Sequence, residues 1–433
     1  MTHRAEERCF LFLQGPHGPF FHGLGRALAA RGARVWRVGF NLGDRAFWRD
    51  RGSYIAFRGP LADWPGTCAR LLAEKSVTDL VLYGDTRPLH AEAVAQARRA
   101  GMTVHVLEEG YLRPYWATYE RGGTNGHSRL MRLNIAQMRA GSRVGPVQVA
   151  APTHWGDMRQ HVFYGALYHF FVMLGRRAYP GFRSHRALPV RREFRLHLRR
   201  LLLMPLYRLE RALAEARVRR GGFSYHLVLL QLEHDASFQH HGPFPGMADF
   251  LETCLAGFAA GAPPDQHLVF KAHPLEDGRV PLRAEIRRLA TLHGLTGRVH
   301  FIRGGKLAHL LDGACGAVTV NSTAGQQALW RGLPLCALGA AVYAKPELVS
   351  DQPPAAFFAD PTPPDRTAYR DYRQFLLDTS QLPGGFYSAA GRRLLLERVP
   401  DLMLSRRDPY DRHLRRTPER CTEVSLQQPD SAR

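Results

Sequence analysis

Four short stretches of this chain combine residue types and spacings that could do chemistry. Glu108-Glu109-Gly110-Tyr111-Leu112-Arg113-Pro114 sets two adjacent carboxylates ahead of an arginine and runs on to Glu120 and Asn125. That grouping fits proton transfer or an anion clamp, and equally a surface loop with a local ion pair. Side chains alternate along extended backbone, so one of Glu108 and Glu109 faces a cleft, not both. Gln231-Leu232-Glu233-His234-Asp235, followed by His240 and His241, puts Asp235 where an apolar run gives way to a polar loop. A carboxylate there serves as base, nucleophile or metal ligand, or is plain loop filler. The histidines lack H-x-x-x-H spacing with a carboxylate partner, so zinc gains little support.

His273-Pro274 closes another apolar run; the proline holds its neighbour extended and aims the imidazole past the end of the run. Asn321-Ser322-Thr323-Ala324-Gly325 opens a helical pattern. Hydroxyls and unpaired N–H groups at a helix start suit a phosphate, although an ordinary cap uses the same residues. Together the two motifs describe a nucleotide-phosphate pocket. Gly15-Pro16-His17-Gly18-Pro19-Phe20 lets backbone approach a ligand closely but lacks the G-x-G-x-x-G spacing of a dinucleotide site. A tight turn accounts for it equally well.

All these stretches follow short apolar runs. Phe10–Gln14, Val35–Phe40, Leu80–Tyr83 and Val104–Leu107 read as strands, with helices over His22–Arg31 and Pro88–Ala100. A second series begins near Tyr225: strands His226–Gln231, His267–Lys271, Val299–Ile302, Ala317–Val320 and Leu333–Leu338, with helices Met247–Ala260 and Gln326–Arg331. Strands alternating with helices imply parallel βαβ units, and ligands of such sheets bind beyond the carboxyl ends of the strands. The expected fold is α/β, with two Rossmann-like domains over residues 1–150 and 223–400. Residues 151–222 form a basic, partly amphipathic helical insert, and 401–433 a disordered tail.

The insert differs in composition. Residues 176–220 hold fourteen arginines and three acids, directly after the apolar, aromatic run Val162–Leu174. Basic amphipathic helices beside such a run suit an anionic membrane face, where each nearby arginine contributes about 1 kcal/mol. A solvated helical pair packed between domains reads the same way.

The whole chain, 433 residues at net charge +21 and 45% hydrophobic, is long enough for two or three domains and excludes a disordered or disulfide-stapled peptide. No run of about 18 apolar residues is present to span a bilayer. The first eight residues carry mixed charge with no apolar segment behind them, which points away from a secretory signal and toward the cytoplasm. Six scattered cysteines form no C-x-x-C pair and read as reduced thiols. The basic excess predicts an anionic partner: a phospholipid surface, a nucleic acid or a nucleotide-linked substrate.

Taken in order, GPHGPF, EEGYLRPYWATYERGGTN, LQLEHDASFQHHGPF, FKAHP and VNSTAGQQALW resemble the capsule polysaccharide biosynthesis and export family of Gram-negative bacteria, over roughly residues 8–345. The resemblance implies a GT-B-like glycosyltransferase fold, with two facing domains (1–150 on the acceptor side, 223–400 for the nucleotide sugar), and a retaining β-Kdo transferase. Its donor is CMP-Kdo and its acceptor a (lyso)phosphatidylglycerol-type lipid at the inner face of the cytoplasmic membrane, beside other capsule assembly proteins. Carried onto this chain, it implies Asp235 as nucleophile and Glu108, or else Glu109, as acid–base partner. His273, Ser322 and Thr323 would hold the CMP phosphate, and Arg113, Gln231 and His17 the remaining substrate. A CMP-sugar leaves with one phosphate and no Asp-x-Asp pair is present, so neither metal nor other cofactor is called for. The pattern departs at Tyr115, where a small polar or acidic residue is expected. Two other classes compete: a nucleic-acid-binding protein, which would interleave aromatic and basic residues on one platform, and a non-catalytic capsule export factor. A transferase using another donor is the nearest enzymatic alternative.

Overall fold

The computed structural model of the chain describes residues 7–142, 158–182, 203–276 and 278–414. Strands β1 (Cys9–Phe12), β2 (Arg34–Gly39), β3 (Tyr54–Ala56), β4 (Asp79–Tyr83) and β5 (Thr103–Glu109) pair in parallel in the order β5-β4-β1-β2-β3. Both faces of this sheet are covered by helices, which is why β1 reads CFLF with no polar alternation. Cys9 and Leu11 pack with Trp64 and Leu72 on one face. Phe10 and Phe12 pack with Phe20 and Leu24 on the other.

β6 (Trp116–Arg121) turns back antiparallel along β5. The stretch Glu108–Asn125 is therefore largely a hairpin rather than a loop. A second sheet takes β7 (Tyr225–Leu229), β8 (His267–Lys271), β9 (Val299–Ile302), β10 (Ala314–Thr319) and β11 (Leu335–Ala337), all parallel, in the order β11-β10-β7-β8-β9. Two sheets of parallel strands with helices between them are the α/β architecture expected from the alternation.

The chain does not finish in the second unit. β12 (Gln381–Pro383) pairs antiparallel with β6 at the edge of the first sheet. The helix Ala389–Leu404 then packs Leu395, Val399 and Met403 among Phe20, Phe21 and Leu24. Residues 381–404 thus belong with the first unit, which corrects a second domain drawn as 223–400. The segment after 400 is also folded as far as it is described: the helix Pro409–Leu414 buries Tyr410 and His413. Residues 415–433 lie outside the described residues.

A shared core joins the halves, with Tyr111, Trp116, Leu130 and Met138 against Leu329, Tyr343, Tyr369 and Phe375. Gln326 Nε2 donates to the Tyr111 carbonyl (2.9 Å) and Lys345 Nζ to the Leu130 carbonyl (2.6 Å). Between them, Met158–Leu174 and Met204–Arg220 are helical, as expected of the insert. Arg191, Arg192, Arg195 and Arg199 lie outside the described residues. Among those described, no helix is long and apolar enough to cross a membrane.

Candidate active site

The carboxyl ends of β4 and β5 carry the first group of side chains. Glu108 closes β5 against Gly84, where a Cβ would lie 2.9 Å from Glu108 Oε2. Its Oε1 accepts the Glu109 N–H at 3.1 Å. Burial pushes the Glu108 carboxyl up to about 7; the Glu109 charge adds to this, while the Glu109 N–H, Arg87 and Arg113 oppose it. Glu109 points to the other side of the strand and accepts from Tyr83 Oη at 3.0 Å, with Tyr387 close by. The alternation expected of extended backbone therefore separates the two acids. Glu108 is the one poised for proton transfer near neutral pH.

Arg113 is exposed and donates Nε to the Gly110 carbonyl (3.1 Å), which bends it back over the hairpin. Glu120 and Asn125 serve the fold instead. Glu120 is buried and accepts from Tyr111 Oη (2.7 Å) and Ser128 Oγ, and the Asn125 N–H donates to Tyr111 Oη (2.7 Å). His17, after β1, stacks on Tyr168 of the insert at 4.4 Å between ring centroids.

The second group sits beyond β7, β8 and β10. Asp235 is exposed at the start of the helix Ala236–His241, with Oδ1 3.5 Å from the Ser237 N–H. His273 is half-buried, and its Nδ1 accepts the Leu275 N–H at 3.1 Å. Burial lowers its pKa to about 4; Lys271, Arg113 and His234 push the same way and Asp235 opposes them. The ring is neutral at pH 7, and with Nδ1 accepting, Nε2 carries the proton and is a donor. Arg113 from the first half and Asp235 from the second thus act on one imidazole.

Ser322 and Thr323 stand half-buried just before the helix Gly325–Trp330. Ser322 Oγ accepts the Ala324 N–H at 3.2 Å, so the hydroxyl holds the turn ahead of the helix and still has a proton to give. Gln231 differs from expectation. It is buried, with Nε2 donating to Asn321 Oδ1 (2.8 Å) and Oε1 accepting the Asn321 N–H (3.0 Å). Its amide is engaged in tying β7 to β10, which makes it a positioning residue rather than a substrate ligand.

Beside His273 and Pro274 opens a cavity of about 730 Å³, lined by Arg208, Arg211, Arg303, Lys306 and Glu276 among others. The helix Met204–Arg220 forms one wall and the Gly304-Gly305 turn after β9 another. Arg208 and Arg211 belong to the arginine-rich insert, whereas nothing local in the sequence marks Arg303, Lys306 or Arg87. Arg87 follows Gly84-Asp85-Thr86 at the end of β4, and the strand order sets it next to Glu108. Among the described residues no three His, Cys, Asp or Glu side chains gather as a metal ion requires. What the arrangement offers is a carboxyl raised toward neutral pH on the first unit and, on the second, an exposed carboxylate, a neutral imidazole donor and a basic recess for an anion.

The chain matches the family described as "Capsule polysaccharide biosynthesis protein" over residues 78–387. It is 31% identical to the capsule polysaccharide modification protein LipB of Neisseria meningitidis over 87% of this chain and 91% of that protein. It is 30% identical to the capsule polysaccharide export protein KpsS of Escherichia coli, over 87% of this chain and 96% of that one. A solved structure of the β-Kdo 2,7 transferase of KpsC from Thermosulfurimonas dismutans aligns with a TM-score of 0.43 at 14% identity, covering 92% of this chain and 100% of that one. With the family matched across both sheets and two relatives aligned over most of its length, the chain belongs to the capsule polysaccharide biosynthesis protein family.

Proposed function

We propose that this protein is a glycosyltransferase of capsule synthesis that moves Kdo from CMP-Kdo to a (lyso)phosphatidylglycerol-type lipid, with retained configuration, at the inner face of the cytoplasmic membrane. The observation carrying this reading is the division of labour between the strand ends. Glu108 is held near neutrality on the first unit, and on the second Asp235 stands open beside a neutral His273. The motif resemblance and the names of the curated relatives, which tie those proteins to capsule modification and export, support it.

Two displacements at one carbon account for retention. An Asp235 oxygen attacks the anomeric carbon, the bond from that carbon to the phosphate oxygen breaks, and CMP departs with the electron pair. His273 Nε2–H and the Ser322 and Thr323 hydroxyls donate to the charge growing on the phosphate. In the second displacement the acceptor hydroxyl oxygen attacks the same carbon and Glu108 takes its proton. The Asp235 carboxylate is released. Arg113 and the basic recess offer counter-charge to the sugar carboxylate and the nucleotide phosphate.

The test is a mass-spectrometric transfer assay with purified protein, CMP-Kdo generated in situ and a fluorescent lysophosphatidylglycerol. A product heavier by one Kdo unit is expected. No product from folded protein would reject this donor–acceptor pair and favour another donor or an export role.

A further inference from the structure

The helix Met158–Leu174 is apolar on both edges, and its inward, half-buried edge carries the polar contacts. Tyr168 Oη accepts from Asn41 Nδ2 (2.8 Å) and donates to Asp44 Oδ1 (3.3 Å), and Gln14 Nε2 reaches it at 3.4 Å. Tyr164 packs edge-on to Phe47 and takes Arg392 over its ring at 5.3 Å. Close approach is built in: a Cβ on Gly43 would stand 2.7 Å from the Tyr168 ring, and one on Gly175 would stand 2.2 Å from Leu42 Cβ.

The opposite edge is apolar and turned outward. Val162, Phe163, Ala166, Phe170, Met173 and Leu174 recur at three- and four-residue steps, which is one stripe of a helix, and all are exposed. Phe163 is 59% exposed, Phe170 53% and Leu174 65%. Water-facing helices normally show the reverse arrangement, and a contiguous apolar ridge of this kind marks a surface meant to be covered. At 17 residues the helix is about 25 Å long, suited to lying in an interface and too short to cross one. Arg159 stands at one end of the ridge and Arg176 and Arg177 at the other. Arginine fringing an apolar ridge complements a surface that is greasy within and anionic at its margin.

We infer that the outward face of Met158–Leu174 lies in the headgroup–acyl boundary of an anionic bilayer, and that the first unit docks on the membrane through it. Its start is joined to the acid–base end of the cleft. His161 packs on Tyr387 at 4.0 Å between centroids, and Tyr387 neighbours Tyr83 and the Glu108–Glu109 pair. Only the identity of the lipid-borne acceptor rests on the function proposed above; the docking face stands on the helix itself.

Flotation of the full chain with phosphatidylglycerol–phosphatidylcholine vesicles tests it, with Phe163→Glu/Phe170→Glu as the variant and Leu292→Glu, an equally exposed apolar residue on the second unit, as comparator. The double variant should lose at least about tenfold in vesicle partitioning at unchanged Tm, while the comparator binds like wild type. Arg176→Gln/Arg177→Gln should weaken binding to the anionic vesicles and leave binding to phosphatidylcholine alone unaltered. Wild-type flotation by Phe163→Glu/Phe170→Glu overturns the proposal. So does a change in oligomeric state, or a fall in Tm, with vesicle binding intact; the first assigns the face to a second copy and the other to packing within this chain. Transfer to a detergent-dispersed acceptor, measured in parallel, should match wild type. If wild type itself transfers nothing, the proposed function fails while the flotation result still decides the docking face.

Discussion

Gln231 and Asn321, ninety positions apart, hold each other by two hydrogen bonds that run in opposite directions, 2.8 Å from amide to amide oxygen and 3.0 Å from backbone N–H to amide oxygen. The pair fixes where β7 and β10 end. Asn321 Nδ2 goes on to the Ser237 carbonyl (2.7 Å), two residues beyond Asp235. The Asp235 loop and the Ser322–Thr323 turn are therefore set by one contact.

Gln231→Leu should lower stability by about 1–3 kcal/mol, because the Asn321 N–H and side chain lose their partners out of reach of water. Thermal melting reads that loss, and kcat should fall with it. A double-mutant cycle with Asn321→Ala should show coupling of about 0.5–3 kcal/mol. Additive losses would mean that the two residues act independently.

Glu108 titrates near 7 in the fold against an ordinary value of 4.5. The folded state then binds more protons than the unfolded chain between those values, so this carboxyl lowers stability progressively as pH rises from about 4.5 to 7. Glu120 is raised to about 7 by burial as well, well inside the protein. Replacing either by Gln should flatten the fall of Tm over that window. Only Glu108→Gln should also remove the acidic limb of the kcat profile, where transfer rises with pH as the base loses its proton. If Glu120→Gln moves that limb instead, the base has been misassigned.

His273 is neutral above about pH 4 and donates from Nε2. His273→Ala should cost roughly 10²–10³ in kcat, the usual loss when a donor to a developing oxyanion is removed. No limb near pH 6.5 should belong to it. On stability the sign is opposite to that of the carboxyls: acidifying from 6.5 toward 4 favours the unfolded chain, which takes up the proton first. His273→Ala should therefore soften acid denaturation in that window, as followed by circular dichroism.

Asp235→Ala should abolish transfer while leaving stability within about 2 kcal/mol of wild type, since the cap contact of its side chain is 3.5 Å long and the residue is exposed. Intact-protein mass spectrometry of wild type stalled without acceptor should find one Kdo unit attached, and none on the variant. Wild-type turnover by Asp235→Ala would remove the residue from the mechanism.

The buried parallel strands were legible because covering on both faces leaves continuous apolar runs such as CFLF and HLVFK. β3, β6 and β12 escaped. β3 is three half-buried residues, β6 buries Thr118 and Glu120 among its apolar neighbours, and β12 is Gln-Leu-Pro, recognisable only by its partner. At the candidate site, residue types single out Glu108, Asp235 and His273, because each lies at or beyond the end of an apolar run. The commitment of Gln231 depends on Asn321, and the place of Arg87 depends on strand order; neither is local. The inward polar contacts of Met158–Leu174 are not local, because Tyr168 reads as an apolar aromatic until Asn41 and Asp44 stand opposite it.

β12 pairs with β6 across 263 positions of chain. During synthesis the first sheet therefore waits with β6 as a bare edge while the whole second unit emerges and folds. An open strand edge is a template for wrong partners. The antiparallel β6, with Arg121 at its end, is what the nascent chain shows in the meantime, and the ribosome must release almost the entire protein before that edge is sealed. A chain stopped before residue 381 would hold Glu108, Asp235 and His273 and still leave its first sheet unfinished.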